Sequence, residues 1–204
     1  HFWEPIDIYY TLRTKILHTP PSVDTDMFRD WGLEKVYDVC ISGMGCHEMT
    51  GAYQDRYRLT RRIQKVYGDR AYTPNHPGWG YFNDPHALVG SKYSQAMNKA
   101  KITVVTAGET NRHCNPKYIE AMASGTCVVC SPCHNLNKYH IYDGHNVMVY
   151  RDEDHCMDII DELLQDDDRR KQIIHNGLET VKQYHTAEMR GKDIVDTWKQ
   201  MWSL

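Results

Sequence analysis

The densest concentration of chemically useful side chains in the sequence is the run Asn115, Pro116, Lys117, Tyr118, Ile119, Glu120. Asparagine directly before proline is a helix N-cap signal, and the first turn of such a helix presents unpaired backbone N–H groups and partial positive charge. Lys117 adds a full cation within that turn, so the spot is built to hold an anion, a phosphate above all. Glu120 lies three residues on, on the same face. A carboxylate is a poor phosphate ligand but a good acceptor for ribose hydroxyls. A surface pair of Lys117 with Glu120 is the plainer reading of the same spacing.

Other groups could serve the same ligand. Gly43 and Gly45, in Ser-Gly-Met-Gly after an apolar run, would let backbone approach a phosphate closely. A tight exit from a strand explains them equally well. Arg56 and Arg58 sit near the start of a helical pattern, where a guanidinium could neutralise a diphosphate, although an exposed helix face explains them nearly as well. Arg112 and His113 precede Asn115. His47, Glu48, His76 and Asp84 are loop residues able in principle to move protons. Cys127, Cys130, Cys133 and His134 form a C-x2-C-x2-C-H run that could supply iron–sulfur or zinc ligands. However, Cys127 and Cys130 fall at the two ends of a buried strand, where packing as small hydrophobes is the simpler role.

The elements that position these residues alternate between short apolar runs and longer amphipathic ones. Strands are predicted at Tyr37–Ser42, Arg70–Tyr72, Ile102–Thr106, Cys127–Cys130 and Asn146–Tyr150. ITVVT and CVVC are apolar almost throughout, as strands buried on both faces of a parallel sheet are. Helices are predicted at Gln54–Val66, Lys92–Lys99, Pro116–Ser124, Glu153–Leu164, Asp167–Tyr184 and His185–Trp202, with Gly125 closing the third in a left-handed conformation. Asp166, Asp167 and Asp168 read as the capped, acidic start of a helix rather than a metal cluster. Tyr72–His86, rich in proline and glycine, reads as loop. Strand and helix alternation of this kind gives a doubly wound α/β sheet.

Composition removes several classes. Twenty-four Lys and Arg against 27 Asp and Glu give a formal charge of −3, so no nucleic-acid or anionic-membrane partner is indicated. No apolar run is long enough to span a bilayer, and no cleavable leader is evident. The seven cysteines are scattered, which fits free thiols, and a cytoplasmic protein is expected. The start at His1, with Phe2, Trp3, Ile6, Ile8, Tyr9 and Tyr10 crowded behind it, reads as a piece of something longer. A dinucleotide oxidoreductase is disfavoured because Glu48 stands where the third glycine of G-x-G-x-x-G belongs.

The run NPKYIEAMASGTCVV resembles the signature of group-1, GT4-like glycosyltransferases, closest to the branch of spore-maturation glycosyltransferase-like (CgeB-type) proteins, with Lys117 three residues before the glutamate. PPSVDTDMF is similar to the segment that enters their C-terminal domain. YDVCISGMG, SKYSQAMNKAKITVV and the stretch from Gly144 to Arg190 resemble, in order, their first strand and turn, the helix and strand before the signature, and the closing strand and helices.

The resemblance implies the Rossmann-like C-terminal half of a GT-B fold with extra C-terminal helices. It places a nucleotide-sugar domain at residues 29–204 and a docking remnant at 1–28. It implies transfer of a hexose or deoxyhexose from a nucleoside-diphosphate sugar, UDP favoured with GDP or dTDP as alternatives, to a glycan or other hydroxyl, without a required metal. Glu120 would bind the donor ribose, Asn115, Pro116 and Lys117 the diphosphate, and Tyr118 would belong to the donor site beside them. Gly43, Gly45, Arg56, Arg58, Arg112 and His113 would complete the donor site, with Arg56, Lys117 and Glu120 as candidate catalytic residues. Arg112 departs from the family, which often carries an acid eight residues before the ribose glutamate. Partners would be the donor, a glycan acceptor and further domains of a longer polypeptide. A non-catalytic sugar-nucleotide-binding module would have the same sequence.

Overall fold

The computed structural model describes residues 19–43, 53–74, 87–107, 113–134 and 136–202. Five strands, β1 Tyr37–Ile41, β2 Ala71–Tyr72, β3 Ala100–Val105, β4 Cys127–Cys130 and β5 Met148–Val149, form one sheet in the order β2-β1-β3-β4-β5. Every pairing is parallel. The apolar centre of the sheet explains this arrangement: β3 and β4 lie between other strands and bury both faces, so neither face alternates with polar residues.

Helices cover both sides. They are α1 Gln54–Tyr67, α2 Gly90–Asn98, α3 Pro116–Ala123, α4 Glu153–Gln165, α5 Asp167–Tyr184 and α6 Ala187–Trp202. Leu59 and Ile63 of α1 and Ile160 and Leu163 of α4 pack with Val39, Ile41, Ile102, Val104 and Val129 on one face. Met97 of α2 and Tyr118, Ile119 and Met122 of α3 pack with Cys40, Val105 and Val128 on the other. The fold is therefore the α/β, Rossmann-like, doubly wound sheet expected, with α4, α5 and α6 as the closing helices. The edge strands are shorter than expected, two residues each for β2 and β5, because each has a neighbour on one side only.

The helix ends obey local chemistry. Asp166 Oδ1 accepts from Arg169 N at 2.9 Å, so the acidic run caps α5 as its position in the sequence requires. Gly125 closes α3 at φ +65, and a side chain there would strike Asp30. Val23 is tied to the far end of the chain: its N–H donates to His185 O and its carbonyl accepts from Ala187 N, both at 2.9 Å.

The strand order reverses between β1 and β3, which lead to neighbours on opposite sides. In open α/β sheets the crevice beyond the carboxyl ends of such a strand pair is where ligands bind. Here that edge carries Ser42 and Gly43 after β1, and Thr106 and Ala107 after β3.

Candidate functional site

At this edge Gly43 has φ +131, a conformation that side chains rarely adopt. A Cβ built there would lie 2.5 Å from Lys117 Nζ and 2.9 Å from a terminal nitrogen of Arg56. Residues thirteen and seventy-four positions away thus deliver two cations to one point beside exposed backbone. Like charges so close repel one another, and an anion between them relieves that repulsion.

Each cation is held in place. Arg56, only 5% exposed, projects from the first turn of α1. Its Nε donates to Thr106 Oγ1 at 2.6 Å, a terminal nitrogen donates to Thr106 O at 3.1 Å, and the guanidinium lies 4.6 Å from the centre of the Tyr53 ring. Lys117 Nζ donates to Ser42 O at 3.3 Å and lies 5.7 Å from the centre of the Tyr93 ring. The Tyr93 and Ser42 hydroxyls are hydrogen-bonded at 2.7 Å.

The start of α3 is built as the sequence indicates. Asn115 Oδ1 accepts from Lys117 N at 3.1 Å, and Pro116 occupies the first helical position. Asn115 Nδ2 donates to the same Thr106 carbonyl that receives Arg56, at 3.1 Å. One carbonyl at the end of β3 therefore fixes both the guanidinium and the cap. Glu120 is half-buried on α3. Burial pushes its carboxyl above the usual range, while the charge of Lys117 opposes the rise.

Other candidates lie elsewhere. Arg58 is exposed and pairs with Asp55 and with Glu153, the latter at 2.8 Å. It lines a cavity of about 330 Å³ whose wall also includes Thr106, Ala107, Ser131, Tyr150, Asp152 and Glu153. Tyr118 is fully buried and its hydroxyl donates to Ser131 O at 2.9 Å, so its ring packs in the core beneath the helix start rather than at its mouth. His113 is exposed, beside the cap. Gly45, Arg112, His47, Glu48, His76 and Asp84 lie outside the described residues. Thr106, Tyr53, Tyr93 and Ser42 were not singled out from sequence. Thr106 and Ser42 leave a trace there, each as the hydroxyl that ends a predicted strand.

Cys127 packs on one face of the sheet with Val129, and Cys130 on the other with Val128. The C-x2-C-x2-C spacing therefore does not bring three thiols together, because a strand turns residues three apart to opposite faces. Among the described residues no group of three or more His, Cys, Asp or Glu side chains is placed to hold a metal, and no helix is long and apolar enough to cross a membrane.

The profile of the glycosyl transferase-like family matches residues 54–196, most of the chain and all of the site just described apart from Ser42, Gly43 and Tyr53. The chain belongs to this family. Solved structures share the fold of this glycosyl transferase-like chain. Sucrose-phosphate synthase from Thermosynechococcus elongatus superposes with a TM-score of 0.63 at 15% identity, over 98% of this chain and 57% of that one. The C-terminal domain of a group-1 family glycosyl transferase from Francisella tularensis gives 0.53 at 16%, over 81% and 99%. Anabaena HepE, solved with UDP and glucose, gives 0.61 at 13%, over 89% and 56%. The chain thus spans little more than half of the first and third, and nearly all of the second, an isolated C-terminal domain. No curated protein matches it.

Proposed function

We propose that the chain is the donor-binding half of a glycosyltransferase, taking a nucleoside-diphosphate sugar and passing a hexose or deoxyhexose to a glycan or other acceptor hydroxyl. The observation that carries this reading is the convergence of Arg56 and Lys117 on Gly43, at the capped start of α3 and at the point where the strand order reverses.

In this reading the diphosphate lies against Gly43, Lys117 and the first N–H groups of α3, with Arg56 behind it. Departure of the glycosyl group leaves a nucleoside diphosphate, and the two cations stabilise the charge that grows on it. That role is the one a divalent metal fills in other chemistry, so no metal is invoked. Glu120 accepts hydrogen bonds from the ribose. Pro116 preorganises the turn and Tyr118 anchors it from below. Gly45, Arg112 and His113 are assigned to the rim, and Arg58 to the wall of the adjoining cavity, whose acids and hydroxyls suit sugar hydroxyls. UDP is the favoured nucleotide, with GDP and dTDP as alternatives, and the CgeB-type branch is the closest group on the basic residue at Lys117. The division into a linking segment at 1–28 and a domain at 29–204 is part of this proposal; residues 1–18 lie outside the described residues, and within 19–28 the bonds of Val23 to His185 and Ala187 support it. A cytoplasmic location is proposed.

Because the chain spans about half of two of its structural relatives, a second reading is a sugar-nucleotide-binding module whose acceptor site and turnover depend on other domains. Calorimetric titration with UDP, GDP and dTDP identifies the base. Binding of one of them at micromolar to low-millimolar strength, weakened about tenfold in Glu120→Ala, supports the assignment, whereas binding unaffected by that substitution removes Glu120 from the site. Release of UDP from a UDP-sugar on addition of an acceptor distinguishes an enzyme from a module.

A further inference from the structure

The side chains of β3 alternate between the two cores, Val104 packing with α1 and α4 and Val105 with α2 and α3. Thr106, two residues after Val104, continues towards α1 and is 4% exposed. There it meets Arg56. A guanidinium is a planar fork of five N–H donors, so the nitrogens that are bonded fix where the others point. Arg56 Nε donates to Thr106 Oγ1 at 2.6 Å, and one terminal nitrogen donates to Thr106 O at 3.1 Å. Both acceptors belong to one residue, which thereby grips one edge of the fork. The Tyr53 ring lies against its face, with 4.6 Å between ring centre and guanidinium carbon. The other terminal nitrogen is the one that lies 2.9 Å from a Cβ built at Gly43.

With one edge and one face held, the remaining nitrogen is aimed at the positive-φ turn after β1. Arg56 and Thr106 are both buried, so loss of the Oγ1 acceptor would leave Nε–H unsatisfied away from water and turn the guanidinium towards another partner. The Thr106 carbonyl also receives Asn115 Nδ2 at 3.1 Å, and Asn115 Oδ1 receives Lys117 N at 3.1 Å. Arg56 is therefore mounted on the hydroxyl and the carbonyl together, and the start of α3 on the carbonyl alone. Removing the hydroxyl separates the two mounts.

We propose that Thr106 is a positioning residue, whose hydroxyl aims Arg56 at the anion held against Gly43. Thr106 acts through the guanidinium and is not assigned a contact with the ligand. The identity of that ligand rests on the nucleoside-diphosphate reading above, whereas the aim of the guanidinium in the free chain does not.

Phenylglyoxal labelling of the ligand-free chain, mapped by mass spectrometry, reads the guanidinium directly. Measured against Arg61, exposed on the same helix, Arg56 is expected to label about fivefold faster in Thr106→Val than in the wild type, and Thr106→Ser to match the wild type. Calorimetric titration then reads the ligand. Thr106→Val is expected to weaken UDP about tenfold and leave uridine unchanged, while Thr106→Ser binds UDP within about twofold of the wild type. In an Arg56→Ala background, Thr106→Val should change UDP affinity by less than about twofold, because residues that act as one unit are not additive. Arg56→Lys keeps the charge but lacks the planar fork, and is expected to weaken UDP about fivefold. That variant carries the test if Thr106→Val does not fold. Equal labelling of Arg56 in the wild type and Thr106→Val, additive losses in the double variant, or Arg56→Lys binding as tightly as the wild type overturns the role of Thr106. A wild type that does not prefer UDP to uridine, or UDP affinity unaltered by Arg56→Ala, overturns the reading of the ligand instead, and the labelling still decides whether Thr106 holds Arg56.

Discussion

Two helices begin at the same edge of the sheet and treat their N-termini in opposite ways. At α4, Asp152 caps the helix and Glu153 and Asp154 fill the first turn, so the helix meets its own dipole with its own carboxylates. Arg58 and Arg62 then pair with Glu153 and Asp154. At α3 the cap is the neutral Asn115, no acid stands in the first turn, and Lys117 is there instead. A cation at a helix N-terminus is locally unfavourable, and Arg56 is brought up beside it. The α4 start is complete in itself, while the α3 start is arranged for a negative charge from outside. Departures from local rules of this kind mark functional positions. Arg56 and Arg58, two residues apart on α1, serve one end each.

The largest effect should come from separating those arginines. Arg56→Ala is expected to weaken UDP binding about 100-fold, the loss of charge-assisted hydrogen bonds worth roughly 1.5–3 kcal/mol. Arg58→Ala should change it less than twofold, and calorimetry of both variants makes the test. Gly43→Ala should weaken UDP about 30-fold, since the backbone strain is about 1–3 kcal/mol and the added methyl displaces Lys117. Gly68→Ala, also at positive φ but with open space around it, should leave UDP binding unchanged.

A smaller, signed effect concerns Glu120. Its folded pKa is raised, so the folded state holds more protons than the unfolded one between the ordinary carboxylate value and the folded value. Stability from this group is therefore lost as pH rises through that window. Glu120→Gln should raise Tm at pH 7 by about 2 °C, measured by calorimetric melting, while weakening UDP about fivefold. Wild-type UDP affinity should fall as pH drops through the raised value, and the variant should lose that component of the pH dependence.

The smallest effect sharpens the contrast between the helices. Asp152→Ala should lower stability by about 1 kcal/mol, a drop of about 2–4 °C in Tm, and leave UDP binding unchanged. Asn115→Ala should cost a similar amount of stability and also weaken UDP severalfold, because Asn115 is tied to the carbonyl that holds Arg56.

Much of this was legible before the structure. Asn115-Pro116 and Gly125 marked both ends of α3, and the apolar runs of β3 and β4 identified central parallel strands, because capping and burial are local in sequence. Less legible were the partners of the site. That Arg56 faces Thr106 and Gly43, while Arg58 faces Glu153, depends on how α1 rotates against β1 and β3, and no spacing within α1 encodes that rotation. Tyr118 was placed with the ligand-binding residues by its position, yet the inward face of α3 puts it under the site. Tyr93 reaches Ser42 and Lys117 only because β1 and β3 are adjacent in the sheet.

The central claim is that the α3 start and its two cations bind the diphosphate of a nucleotide. It is tested most directly by calorimetric titration of the wild-type chain and Lys117→Ala with UDP and with uridine. The account predicts that the wild type binds UDP far more tightly than uridine, and that Lys117→Ala weakens UDP about tenfold while leaving uridine unchanged. Equal binding of UDP and uridine, or UDP affinity unaltered by Lys117→Ala in a folded sample, would contradict it.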